Sequence, residues 1–153
     1  MSRFKIILKH GILITAFIGG FFFLSKFLGI HENPYLRFIN LLFVVIGIRQ
    51  AIKTNIKRNK ETNYITNLGV GLQTAGLAVI LSIIGVISYV ELINPEFLLT
   101  MNNSFLIGGD LSLAELFITL LIEGMASVFV GSFVVMMFYK NHDKLLSHQH
   151  KTV

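Results

Sequence analysis

The chain of 153 residues contains no cysteine, and charged side chains make up only 14% of it. The missing cysteine excludes disulfides, thiolate metal sites, iron–sulfur clusters and a cysteine nucleophile. The low charge is far below the roughly 25% of an average soluble domain, while 54% of the residues are hydrophobic. A soluble domain of this length would have to hide that excess in one core and would keep too little polar surface. Catalytic signatures are missing as well. The sequence holds no nucleophile elbow, no H-E-x-x-H, no P-loop and no dinucleotide fingerprint. Its histidines, His10, His31, His142, His148 and His150, fall near the ends of the first apolar run or in the C-terminal tail. A non-enzymatic protein with no cofactor and no metal centre is the expectation.

What is present is length of apolar sequence. A membrane-spanning helix needs about 20 mostly apolar residues, and four runs qualify: 11–30, 35–52, 68–90 and 113–139. The first follows Arg3, Lys5 and Lys9 without a small-x-small cleavage site, which reads as a retained signal anchor. The second is the weakest, because its uncharged part, 38–48, also suits a buried or re-entrant helix. The predicted fold is all-α: one polytopic membrane domain of four transmembrane helices, with residues 140–153 as a cytoplasmic tail.

Charge supports four crossings. With four spans, eleven of the thirteen Lys and Arg residues fall on one side. The positive-inside rule makes that side the cytoplasm, with both termini and the 49–60 loop. Tyr35, Tyr64, Tyr89 and Tyr139 each stand at a span end, where an amphipathic ring prefers the headgroup level. Arg49, Lys53 and Lys57 recur at i, i+4 beside Ile48, Ile52 and Ile56, so the second helix is expected to run past the membrane with a basic and an apolar stripe. Anionic lipid headgroups are the natural partner, although the same charges are also what topology alone requires. No aromatic interleaving accompanies them, so nucleic acid is not expected.

The outer loop, 91–112, carries Glu91, Glu96 and Asp110 and no base. Asn94, Pro95 and Glu96 read as the start of a short interfacial helix bearing Phe97, Leu98, Leu99 and Met101, ended by Asn102 and Asn103 before Gly108 and Gly109 turn the chain. Ser112 and Glu115 match a capping box, which gives Glu115 a structural role ahead of a functional one.

One polar residue resists a topological account. Glu123 lies about 5 Å to the outer side of the midpoint of the fourth span. A carboxylate there is costly unless it is protonated, paired or in a polar cavity. Thr119 and Ser127 flank it at i−4 and i+4. Asn40 falls at a similar depth, with Arg37 and Lys26 about one turn further out. Three readings compete: a buried hydrogen bond or ion pair that locks the bundle, a proton or cation site in a small transporter or channel, and a site for a polar ligand or partner subunit. Gln73 is the other intramembrane polar group considered, well to the inner side of its helix.

Packing signals are clearer. Gly71, Ala75, Ala78, Ser82 and Gly85 recur at spacings of 4, 3, 4 and 3, a stripe of small side chains on the third helix. Gly124, Ser127 and Gly131 form its expected mate on the fourth, within one subunit or across a homodimer or another membrane protein; the first helix offers Ala16 and Gly20.

Three short pieces stand at helix ends: Gly47-Ile48-Arg49, Tyr64-Ile65-Thr66 leading to Gly69 and Gly76, and Ile93-Asn94-Pro95-Glu96-Phe97. In these, over residues 5 to 140, the chain resembles a family of small four-helix bacterial inner-membrane proteins known only as a domain of unknown function. The resemblance implies four spans and the bacterial inner membrane, and it carries over no catalytic residue. Where such proteins have a glycine-rich approach to Tyr64, this chain has Lys60-Glu61-Thr62-Asn63, so a less tightly turned loop is expected.

Overall fold

The computed structural model describes residues 2–30, 35–99 and 112–139; the Arg37 side chain lies outside that set. The described residues form four long helices: α1 (Arg3–Phe27), α2 (Leu36–Asn59), α3 (Tyr64–Leu92) and α4 (Leu113–Tyr139). All four are long and apolar enough to cross a membrane. The polypeptide is therefore an all-α protein with the build of a multi-pass membrane protein. Met101, Asn102, Asn103, the Gly108–Asp110 turn and the tail histidines fall outside the described residues.

Local chemistry sets the helix ends. α1 begins at Arg3, eight residues before the apolar run, and is capped by Ser2, whose Oγ accepts from Lys5 N at 3.4 Å. The early start follows from Ile6 and His10, which continue the buried face toward the N-terminus. It stops at Phe27, three residues short of the expected end. Gly29 there takes a left-handed conformation (φ 71°), with Ile30 N bonded to Ser25 O and Gly29 N to Lys26 O, as in a Schellman motif. The second apolar run forms one helix to Asn59 rather than a re-entrant segment. At the start of α4, Ser112 N and Oγ both donate to Glu115 Oε2 at 2.8 Å, while Glu115 N donates to Ser112 Oγ at 3.4 Å.

The α2–α3 loop corrects one expectation. Residues 60–63 make a tight connection: Lys60 is left-handed (φ 50°), and Asn63 Oδ1 caps α3 by accepting from Thr66 N at 3.2 Å. The turn that glycine usually permits is here taken by a lysine, at a backbone cost. Lys60→Gly is accordingly expected to stabilise the protein by about 0.5–1 kcal/mol, read as a rise in the midpoint of chemical denaturation in detergent.

α2 and α3 form the central pair. Each packs on the other, and each also packs on α1 and α4, which lie at opposite edges without comparable packing between themselves. The main core draws on all four helices, with Ile14, Ile48, Ala75, Val79 and Val128 among its buried members. Lipid is as apolar as these side chains, so close fit rather than water exclusion holds such an interior together.

Glycines sit at the closest approaches. A Cβ on Gly47 would overlap Cγ1 and Cδ1 of Ile14, and one on Gly11 would stand 2.8 Å from Leu77 Cδ2, so both helix neighbours of α1 touch it at glycine. Gly71 meets Ile48 and Ile52 of α2 and Ser132 of α4; Gly124 meets Val79; Gly131 meets Ile48 and Val45. Gly71, at the inner end of the small stripe of α3, thus faces α2 as well as α4. Ala75 and Ala78 are fully buried, Ser82 is half-buried, and Gly85 is exposed with open space around it. Ala16 and Gly20 also point outward.

At the end where α1 and α3 finish, the interfacial-helix expectation changes character. The chain turns at Asn94–Glu96 and is helical at 97–99, with Phe97 N bonded to Asn94 O at 3.1 Å. Phe97 is not at a lipid interface but 5% exposed, its ring 5.3 Å from Phe22 and 5.5 Å from Tyr89 in edge-on contacts. Tyr89, expected at the headgroup level, is likewise buried in this aromatic cluster.

Candidate functional site

Glu123 is exposed on the surface of the chain rather than buried. The reason is its helix. Among the described residues α4 packs chiefly on α2 and α3, and Gly124 and Val128 take the inward positions, which turns residue 123 outward. Gly131 against Val45 and Ile48 sets the register of α4 on α2, and that register places Glu123 level with the 37–40 turn of α2. Arg37 and Asn40 are on that turn. Lys26 is not within this neighbourhood: it belongs to α1 at the opposite edge, where its Nζ donates to Tyr89 Oη and lies 4.9 Å from the Tyr89 ring centroid.

The two hydroxyls beside Glu123 serve their own helix. Thr119 Oγ1 donates to Glu115 O at 2.8 Å and Ser127 Oγ to Glu123 O at 3.0 Å. Neither proton is directed at the carboxylate. Asn40 is half-buried, and its Oδ1 has no hydrogen-bond partner. Gln73 is exposed on α3.

A second polar assembly, not anticipated, lies at the loop end of the bundle. Asn59 Nδ2 donates to Asn55 Oδ1 at 2.8 Å, Asn55 Nδ2 to Asn67 Oδ1 at 2.8 Å, and Asn67 Nδ2 to Glu61 O at 3.0 Å. Asn55 is 0% exposed and Asn67 3%. The Glu61 carboxylate accepts from Asn63 N and from Arg3 Nη2, the latter at 2.5 Å, which brings the start of α1 onto the same loop. The signal was there to be found: Asn55, Asn59, Asn63 and Asn67 recur every fourth residue across the turn.

His10 joins α1 to α2 nearby. Its Nδ1 is 2.9 Å from Ile6 O, and a carbonyl only accepts, so Nδ1 carries a proton. Nε2 faces Thr54 Oγ1 at 3.4 Å, and that hydroxyl donates to Gln50 O at 2.7 Å. Outside these bonds, Arg49, Lys53 and Lys57 project from the exposed side of α2 at the same end, and Lys5 and Lys9 from α1.

Among the described residues, no group of three or more His, Cys, Asp or Glu is placed to hold a metal ion. Four buried side-chain oxygens there have no hydrogen-bond partner: Ser25 Oγ, Asn40 Oδ1, Ser82 Oγ and Ser132 Oγ. No protein-family model matches the chain, and neither a curated protein nor a solved structure matches it.

Proposed function

We propose that the protein is a structural or accessory component of the bacterial inner membrane, non-enzymatic and without a cofactor, with both termini and the α2–α3 loop in the cytoplasm. Eleven of its thirteen basic residues lie on that side, as the positive-inside rule requires. Arg49, Lys53 and Lys57 contact anionic lipid headgroups there, and nucleic acid is not a partner. The short motifs at the helix ends support the bacterial inner membrane, as the family they resemble does.

The observation that carries the structural reading is the use of the polar groups around Glu123. Thr119 and Ser127 commit their protons to carbonyls of α4, so neither hydroxyl donates to the carboxylate and both serve the helix itself. Glu123 instead faces the exposed side of an edge helix, where it holds α4 against its surroundings: the 37–40 turn of α2, a second copy, or another membrane protein.

Glu123→Gln in reconstituted vesicles tests this. Neither form is expected to carry a proton or cation flux, and the substituted protein is expected to melt several degrees lower. A flux in the wild type that the substitution abolishes, with the melting temperature unchanged, would overturn the structural reading in favour of a small transporter or channel.

A further inference from the structure

We propose that Ser25, Asn40 and Ser82 line a buried hydrated site between α1, α2 and α3, a blind polar vestibule that holds a short column of ordered water and opens toward the Lys26 end of the bundle. The three residues come from three helices, and their free oxygens are three of the four buried, unpartnered side-chain oxygens among the described residues. Ser25 is 3% exposed.

Helix periodicity and register bring them together. Ser25 is eleven residues, three turns, beyond Ile14, the residue that meets Gly47 of α2, so it shares that face of α1. Asn40 is seven residues, two turns, before Gly47 and shares the matching face of α2. The edge-on Phe21–Phe43 contact, 5.6 Å between centroids, lies on the same seam, inward of both Ser25 and Asn40. Ser82 is eleven residues beyond Gly71, on the face of α3 that meets Ile48 and Ile52 of α2. The Asn55–Asn67 hydrogen bond sets α2 against α3 so that Asn40 and Ser82 are equally far from it along their helices. The Thr15–Ala78 contact then puts Ser25 about 9 Å further out than the level that Asn40 and Ser82 share.

The chemistry selects water. Buried polar groups are almost always hydrogen-bonded, and an ordered water needs roughly two to four polar partners, which two hydroxyls and an amide along one seam supply. All three side chains are neutral, and the cationic Lys26 adjoins Ser25, which disfavours a bound cation. Inward of Ser82 the same face of α3 continues with Ala78, Ala75 and Gly71, all buried, so the column stops there and does not cross the bundle.

The cysteine-free chain suits the experiment. Single variants S25C, N40C and S82C, with A75C as the dry control, are reconstituted and treated with 2-aminoethyl methanethiosulfonate, which reacts with the thiolate that forms only in contact with water. The three site variants are expected to react at least ~10-fold faster than A75C, since a thiol in a dry core stays protonated. Rates at all three no faster than at A75C would overturn the proposal. Should the variants fail to fold, hydroxyl-radical footprinting of the native chain decides. Phe21 and Phe43 beside the site are then expected to oxidise faster than Phe129, which is exposed on the outer face of α4, and equal or slower oxidation would overturn it.

Discussion

Gly47→Ala is expected to destabilise the protein by about 1–3 kcal/mol, the cost of forcing a methyl group into a filled interior. The added Cβ would overlap Cγ1 and Cδ1 of Ile14, which is 1% exposed. Isoleucine is branched at Cβ and has essentially one helix rotamer, so it cannot swing aside. Relief requires α1 to move off α2, and that would also strain the His10–Thr54 contact one turn away. The size of the clash can be separated from the helix propensity that alanine adds by Ile14→Ala, which removes the obstructing atoms. In the double variant Gly47→Ala/Ile14→Ala the second change is expected to cost less than it does in the wild-type background, because part of its cavity is filled. Denaturation midpoints of the four proteins in one detergent give the coupling. Simple additivity would mean that the two side chains do not meet.

Asn55→Leu is expected to have an effect of similar size, about 1–3 kcal/mol, for the opposite reason. The substitution removes a group bonded on both sides and strands Asn67 Oδ1 in the interior and Asn59 Nδ2 beside it. An unmet buried polar group costs more than the hydrogen bond itself contributed. Asn55→Leu/Asn67→Leu takes away both partners of the buried pair and is expected to be less harmful than the sum of the single changes, the new orphans being only Asn59 Nδ2 and Glu61 O. If each asparagine were independent, the losses would add. The network also joins the α2–α3 hairpin to Arg3 at the start of α1 through Glu61.

The contrast between these residues shows what could be read in advance. The four helices were legible because spanning runs are long and bounded by charge. The capping box at Ser112 and Glu115 was legible because it is local: both partners lie within one turn. Asn55 and Asn67 are twelve residues apart on two helices, and their pairing depends on a tight turn at Lys60 that lysine rarely makes. Gly47 stood in the sequence as part of a helix-end motif, and nothing local in it announced Ile14. Phe97 and Tyr89 carried the marks of interfacial residues, yet the aromatic ring of Phe22 and the amine of Lys26 gave them partners inside the bundle.

The sequence by itself determined the four long apolar helices and the limits of α4, since these follow from composition over tens of residues and from a cap within one turn; α1 and α3 start, and α2 ends, several residues beyond their apolar runs. Only the tertiary structure decided which small residues are contacts and which are open, that Glu123 faces outward from an edge helix, and that Lys26 is held by Tyr89 at the other edge. The physical reason is that a helix repeats every 3.6 residues whatever surrounds it, so the chain specifies which residues share a face but leaves the choice of what that face meets to packing between helices far apart in sequence.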